Sequence, residues 1–258
     1  MKRIALLLGY DGSDFHGFAP QTDQVTVANT LSDSIGKVFN QPIELTCAGR
    51  TDAGVHASYQ VVHFDYDESI LKRPFEKTRF LKSMSTMLPP AIFVRNATEV
   101  DDSFSARFSA TSRTYNYIFT TGENKDPIVS RYSYHIFDKV DFNRMDEASK
   151  ALVGEHDFAA FCKSNKELKS TIRRVNSVQM KKNYFGMDVF EINASAFCHQ
   201  MVRSITGLLI EIGIGKRTVT ELDRILKGKS RNELTFIAPP HGLHLVHVSY
   251  PIDVFTQS

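Results

Sequence analysis

The residues best suited to chemistry lie in one short stretch, Ala48-Gly49-Arg50-Thr51-Asp52-Ala53-Gly54-Val55-His56. A carboxylate, a guanidinium, a hydroxyl and an imidazole stand close together there, and Gly49 and Gly54 give the backbone freedom. Cys47 to Ala57 joins two strand-like runs and is too long for a tight hairpin turn. Loops of that length on a sheet often present functional side chains. The plainer alternative is a surface hairpin in which Asp52 accepts backbone hydrogen bonds. One carboxylate and one imidazole are too few donors for calcium or zinc, so no metal is expected. A paired-carboxylate glycosidase needs a second acid, and none can be assigned. A single Asp beside an Arg suits nucleophilic or electrostatic work, because the cation favours the charged carboxylate.

The elements that must position this loop can be read from periodicity. Ile4 to Tyr10 reads as a strand ended by the turn cluster Asp11-Gly12-Ser13-Asp14. Val27, Leu31, Ile35, Val38 and Phe39 share one helical face, with Thr26 as N-cap. Ile43 to Cys47 and Tyr59 to Asp65 are strand-like, Phe75 to Met87 is a helix stopped by Leu88-Pro89-Pro90, and Ile92 to Ala97 is another strand. In the second half, Thr114 to Thr121, Val175 to Met180, Asp188 to Ala194 and Leu243 to Val248 read as strands. Phe142 to Leu152, His156 to Phe161, Phe197 to Ile212 and Glu221 to Leu226 read as helices. Strands and helices mix without strict βαβα alternation, which favours α+β with antiparallel sheet over a doubly wound fold. The boundary is placed near Ser105 to Ala110, giving halves 1–107 and 108–258.

On the helix from Phe197 to Ile212, Phe197, Met201, Ile205, Leu208, Leu209 and Ile212 form an apolar stripe. Arg203 lies opposite, with His199, Thr206 and Gly207. That face carries few charges for a solvated one, so it is expected to border a cleft.

Bulk properties exclude little. The 258 residues are 42% hydrophobic and 23% charged, an ordinary globular composition, and the net charge is +2. The charges are segregated, however. Lys163 to Lys182 holds seven Lys/Arg and one acid, Lys72 to Lys82 five and one, and Lys216 to Arg231 six and two. Basic stretches separated from acidic ones fit a phosphate-backbone partner, or merely solvated faces. Cys47, Cys162 and Cys198 are odd in number and widely spaced, so they do not read as a disulfide framework or a zinc site. The apolar run after Met1-Lys2-Arg3 is too short for a signal peptide or a membrane span, and a cytoplasmic protein is expected.

The same loop resembles the signature of the tRNA pseudouridine synthase A family. Tyr10-Asp11-Gly12-Ser13 with Phe15, Gly17 and Gln21 resembles that family's opening strand and turn. Phe104 to Ala110, Arg113 to Tyr117, Gly154 to Phe158 and Thr171-Ile172-Arg173 resemble later blocks, as do Phe197 to Arg203 and Gly242 to Leu245. The blocks run in the family's order across nearly the whole chain. The resemblance implies isomerisation of uridine to pseudouridine in the anticodon stem-loop of tRNA, at positions 38, 39 and 40. It implies no cofactor, and usually a homodimer. It also implies two related α+β halves whose antiparallel sheets join into one continuous sheet, with helices on one side and a central cleft.

The resemblance further implies catalytic roles for Asp52, Arg203 and Tyr115, with Arg203 as the charge partner of Asp52. Tyr115, Arg50, His56 and Arg173 are implied to bind substrate. Attack at C1′, attack at C6 and elimination stay open as routes. Tyr117 is expected to pack rather than bind. The chain departs from the family pattern at Phe18-Ala19-Pro20, where Trp-Gln often follows the glycine, and at Gln200, where a second His is common. Asp11-Gly12-Ser13-Asp14 has the wrong spacing for an aspartate-nucleophile phosphatase. Gly213-Ile214-Gly215-Lys216 is no phosphate loop, because Ile210 stands where a glycine is required. The alternative function is a non-catalytic RNA-binding protein of the same fold, against which the intact Asp52 argues.

Overall fold

The computed structural model describes residues 1–163, 170–182 and 186–255. The chain divides into two compact units, Met1–Arg113 with Leu245–Ser258, and Thr114–His244. The division falls after residue 113, and the C-terminal stretch returns to the first unit.

The first unit contains β1 (Lys2–Tyr10), α1 (Val27–Phe39), β2 (Thr46–Cys47), β3 (His56–Tyr66), α2 (Lys77–Met87) and β4 (Ile92–Val100). Strand β1 runs antiparallel to both β3 and β4, with Leu6 opposite Val62 on one side and Ala97 on the other. Flanked on both edges and covered on both faces, Ile4, Leu6 and Leu8 have no exposure. That explains the unbroken apolar run, since a strand buried on both faces has no reason to alternate. Thr26 caps α1 by accepting from Asn29 N. The apolar face of α1 delivers Phe39 into an aromatic cluster with Tyr66 at 4.8 Å, Phe64 at 5.3 Å and Phe80 at 5.8 Å between ring centroids. Helix α2 begins two residues later than its periodicity suggests, because the Glu76 carboxylate is its N-cap and accepts from Thr78 N and Arg79 N.

The second unit is built from β5 (Ser112–Thr121), β6 (Tyr134–Ile136), α3 (Phe142–Ser149), β7 (Gly154–Asp157), β8 (Ile172–Lys182), β9 (Asp188–Ala194), α4 (Met201–Gly213) and α5 (Glu221–Gly228). Its strands lie in the order β5-β9-β8-β7. The closing strand β10 (Leu243–Ser249) lies next to β3. The fold is α+β, but its sheet is mixed: β6 pairs parallel to β5, with Phe119 opposite Tyr134, where only antiparallel pairing was expected.

Three other expectations are corrected. His156 to Phe161 is not helical: Gly154 to Asp157 forms β7, with His156 opposite Arg173, and Ala159–Phe161 is a single 3-10 turn. The buried Phe158 and Phe161 have the three-residue spacing of that turn, which in sequence mimics an α-helical face. Helix α4 begins at Met201, so Phe197 and His199 precede it. On the face opposite the apolar stripe, Thr206 has no exposure and a Cβ on Gly207 would lie 2.2 Å from Phe236 O, so residues 236–238 pack on that part of it, while Arg203 stays partly exposed. Finally, Cys162 and Cys198 form a disulfide, with Cα atoms 5.6 Å apart, while Cys47 is a free thiol. The pair lies within the second unit and ties the end of the 3-10 turn to the residues before α4. Among the described residues no helix is long and apolar enough to cross a membrane.

Candidate active site

Because His56 and Ala57 already belong to β3, the loop around Asp52 spans Ala48 to Val55, shorter than the sequence suggested. Its backbone is fastened from beneath on both sides of the aspartate. Ala48 N donates to Val61 O at 2.8 Å. Ala48 O accepts from Arg113 Nε at 3.1 Å and Nη2 at 2.8 Å. Gly49 O accepts from Gln60 Nε2 at 2.7 Å, Thr51 O from Phe18 N at 3.1 Å, and Asp52 O from Val55 N at 3.2 Å. The Thr51 hydroxyl is 2.8 Å from the Tyr10 hydroxyl. Gln60 has no exposure, while Arg113, Thr51 and Tyr10 are all buried. Fixed carbonyls thus hold a partly exposed Asp52, with Arg50 and Ala53 exposed on either side.

Two glycines permit the close packing beneath. A Cβ on Gly17, whose φ is +92°, would lie 2.9 Å from Thr51 O, and one on Gly12 would lie 2.0 Å from Val55 O. His56 is 3% exposed, and its Nδ1 is 3.1 Å from Gly12 N and 3.2 Å from Asp11 Oδ1. It latches the turn after β1 to the start of β3, behind the loop rather than on its outer surface.

Sequence reading missed the supports. Arg113 stands out physically as a buried guanidinium that donates to the carbonyls of Ala48, of Arg107 at 2.7 Å and of Ala110 at 3.2 Å. The available signal was an arginine preceding a strand of alternating apolar residues, where a cation is out of place unless its donors are used. The field at the base of the loop is positive. Burial pushes the Cys47 thiol up to about 11, against the opposing effect of Arg50, Arg107 and Arg113. Burial likewise pushes the Tyr10 phenol up, keeping it neutral beside Thr51.

His63, on β3, braces a neighbouring segment. Its Nδ1 accepts from Ala106 N at 3.0 Å, and burial, then the Arg3 charge, hold its pKa below the usual imidazole value. An unfolded chain takes up a proton as pH falls below about 6.5, whereas the native ring does not. Stability from this group is therefore complete above that pH and is lost on acidification through it. Denaturant melts from pH 8 to pH 5 should show the loss in wild type and a shallower loss in His63→Gln. Equal slopes for the two would remove His63 from this role.

In the second unit, Tyr115 lies on β5 with its ring edge-on to Phe197, centroids 5.0 Å apart, and is 6% exposed. Tyr117, on the same face, is fully buried and donates to Pro239 O at 2.8 Å, consistent with packing. Arg203 stands in the first turn of α4, where its Nε donates to Ala238 O at 2.8 Å and its own carbonyl accepts from Ala238 N at 3.1 Å. Arg173 Nη1 donates to Ile172 O at 2.6 Å, and its Nε is buried without a partner among the described residues. Burial holds that guanidinium below its usual value.

The basic stretch Lys216 to Arg231 proves largely self-neutralised. Arg217 pairs with Glu211 and Glu221, Arg224 with Glu221 and Glu233, Lys227 with Asp223, and Lys229 with Asp157. Of the Lys163 to Lys182 stretch, Lys166, Glu167 and Lys169 lie outside the described residues. Among the described residues no cluster of three or more His, Cys, Asp or Glu side chains is placed to hold a metal ion.

A family model described as tRNA pseudouridine synthase matches residues 7–109 and 148–251. A tRNA pseudouridine synthase A of Pseudoalteromonas atlantica is 40% identical over 251 residues, covering 96% of this chain and 92% of the relative. Enzymes of the same name from Shewanella sp. strain MR-4 and from Idiomarina loihiensis are 42% and 41% identical, each over 96% of this chain and 93% of their own. A solved Cbf5-Nop10-Gar1 complex aligns at 10% identity and a TM-score of 0.36, spanning 94% of this chain and 49% of that one. On the family model and the curated relatives, the chain belongs to the tRNA pseudouridine synthase family, whose members are isomerases. Within that family its resemblance is to the synthase A branch.

Proposed function

We propose that this chain isomerises uridine to pseudouridine at positions 38, 39 and 40 of the tRNA anticodon stem-loop, with Asp52 as nucleophile. The observation that carries the reading is the support of Asp52: its loop is anchored through the carbonyls of Ala48, Gly49, Thr51 and Asp52 itself. A carboxylate held on fixed backbone and partly exposed is ready to meet a reacting carbon, with little reorganisation left for the reaction step. In the reaction the C1′–N1 bond breaks, the uracil turns, C5 bonds to C1′, the C5 proton leaves to solvent and N1 takes up a proton, so the product is an isomer of uridine. Attack at C1′, attack at C6 and elimination all employ the same carboxylate.

A base in or near a stem must be extruded first, at a cost of a few kcal/mol. Arg50, exposed beside Asp52, takes the space or phosphate left behind. Tyr115 contacts the uracil, and Arg173, a partly buried guanidinium with no acid partner among the described residues, meets RNA phosphate. His56 serves by holding the loop. Arg203 is assigned as the charge partner of Asp52. The resemblance adds a cytoplasmic homodimer, which light scattering on the purified protein checks.

The test is incubation of purified protein with unmodified tRNA transcript, followed by chemical mapping of pseudouridine. New pseudouridine at 38 to 40 is expected; tight binding without any would favour the non-catalytic RNA-binding alternative. In the same assay Arg203→Ala should fold, since the Ala238 N to Arg203 O bond is independent of the side chain. It should lose roughly a hundred-fold in turnover, the scale of removing one charge-stabilising donor. Near-normal turnover would rule out the pairing with Asp52.

A further inference from the structure

Phe108 is 81% exposed, and the turn that carries it is unusually well fastened. Ser109 N donates to Ser105 O at 2.9 Å, Ser105 N to Ser109 Oγ at 2.9 Å, and Phe108 N to Ser105 Oγ at 3.3 Å. The fully buried Ala106 is gripped at both ends, its N–H by His63 and its carbonyl by the Tyr250 hydroxyl at 2.8 Å. A mobile surface loop has no use for such bracing; here it holds one large aromatic ring out in solvent. The Arg107 guanidinium, also exposed, lies over that ring, with Cζ 5.3 Å from the centroid.

The turn is also coupled to the Asp52 loop. The single Arg113 guanidinium binds Arg107 O and Ala110 O on one side and Ala48 O on the other. The charges of Arg50 and Arg107 both act on Cys47, the residue just before that loop. An exposed flat ring beside cations, on a rigid mount, has the composition of a site that stacks an unpaired base and holds its phosphate.

Resting on the proposed function, we infer that Phe108 and Arg107 form an RNA-binding element beside the Asp52 loop, with Phe108 stacking on a nucleobase and Arg107 contacting the adjoining phosphate. The base is an unpaired one, because paired bases offer no free face. The element binds and orients RNA; it performs no bond-making step.

The test compares wild type with Phe108→Ala, Phe108→Leu, Phe108→Trp and Arg107→Gln. It measures the Kd for labelled tRNA transcript and the release of tritium from transcript labelled at uridine C5. Phe108→Ala and Phe108→Leu should raise Kd and KM five-fold or more, the change that about 1 kcal/mol of base–aromatic stacking produces. Phe108→Trp should restore both values to within about two-fold on the same scale. Arg107→Gln should weaken binding and flatten its salt dependence by close to one counterion. All four variants should melt with wild type, since both side chains are exposed. Unchanged Kd and KM in Phe108→Ala would overturn the inference, as would rescue by leucine, which replaces the apolar bulk but not the ring. If wild type itself neither binds tRNA nor releases tritium, the functional reading has failed instead.

Discussion

Asp52→Asn is expected to fold like wild type, bind tRNA within a few-fold of wild-type affinity, and lose at least about a thousand-fold in turnover, the scale seen when a nucleophile is removed. The reasoning separates what holds the loop from what reacts in it. The carbonyls of Ala48, Gly49, Thr51 and Asp52 are bound by Arg113, Gln60, Phe18 and Val55, and those bonds are independent of the side chain at position 52. Asparagine has the same shape, so the anchored backbone has no reason to move. It lacks the negative charge and the nucleophilic oxygen, which are the only properties the proposed chemistry asks of this position. Single-turnover tritium release from tRNA, measured beside a binding isotherm, checks both halves. More than a tenth of wild-type turnover would sink the nucleophile assignment. Weakened binding with normal turnover would move Asp52 into the recognition surface.

Much of this was legible in the sequence, for physical reasons that also explain the failures. Strand β1 and helix α1 were readable because local pattern and burial agree: Ile4 to Leu8 is buried on both faces, and the spacing of Val27, Leu31, Ile35 and Phe39 is that of the buried side of α1. The Asp52 loop was readable because its residue types cluster within one segment. What failed depended on partners distant in sequence. Gly154 to Asp157 looked helical because its strand identity comes from pairing with Ile172 to Val175, which no local period reveals. The low charge around Arg203 was read as a cleft wall. Part of that face instead takes the close approach of Phe236 to Gly207, about thirty residues apart, which no local period reveals. The supporting roles of Arg113 and Gln60 went unread because a buried polar side chain in a strand declares itself only once its acceptors are known. The last strand, β10, lies beside β3 although most of the chain separates them.

The cysteines failed in the same way. Spacing cannot pair Cys162 with Cys198, 36 residues apart, and an odd count argued against a framework; the structure contains one cross-link and one free thiol. Closing a loop of that length removes enough unfolded-state entropy to stabilise the second unit by about 4 kcal/mol. The cross-link also matters locally, because α4 begins without a side-chain cap from Gln200, whose φ of 63° is left-handed. The residues leading into it are held from outside instead: by Lys163 N on His199 O at 2.9 Å, by Arg231 Nη2 on Gln200 Oε1 at 2.9 Å, and by the disulfide. Arg203 stands in the turn that follows. Reduction should therefore lower the unfolding free energy of the second unit by several kcal/mol, about the entropy figure above, and slow turnover as the turn frays. Cys198→Ser should match reduced wild type and ignore reductant, while Cys47→Ser should behave as wild type in both conditions. Denaturant melts with and without reductant, alongside intact mass to count thiols, make the comparison. Superimposed oxidised and reduced curves, in protein whose mass shows the bond broken, would remove the disulfide from any role in holding α4.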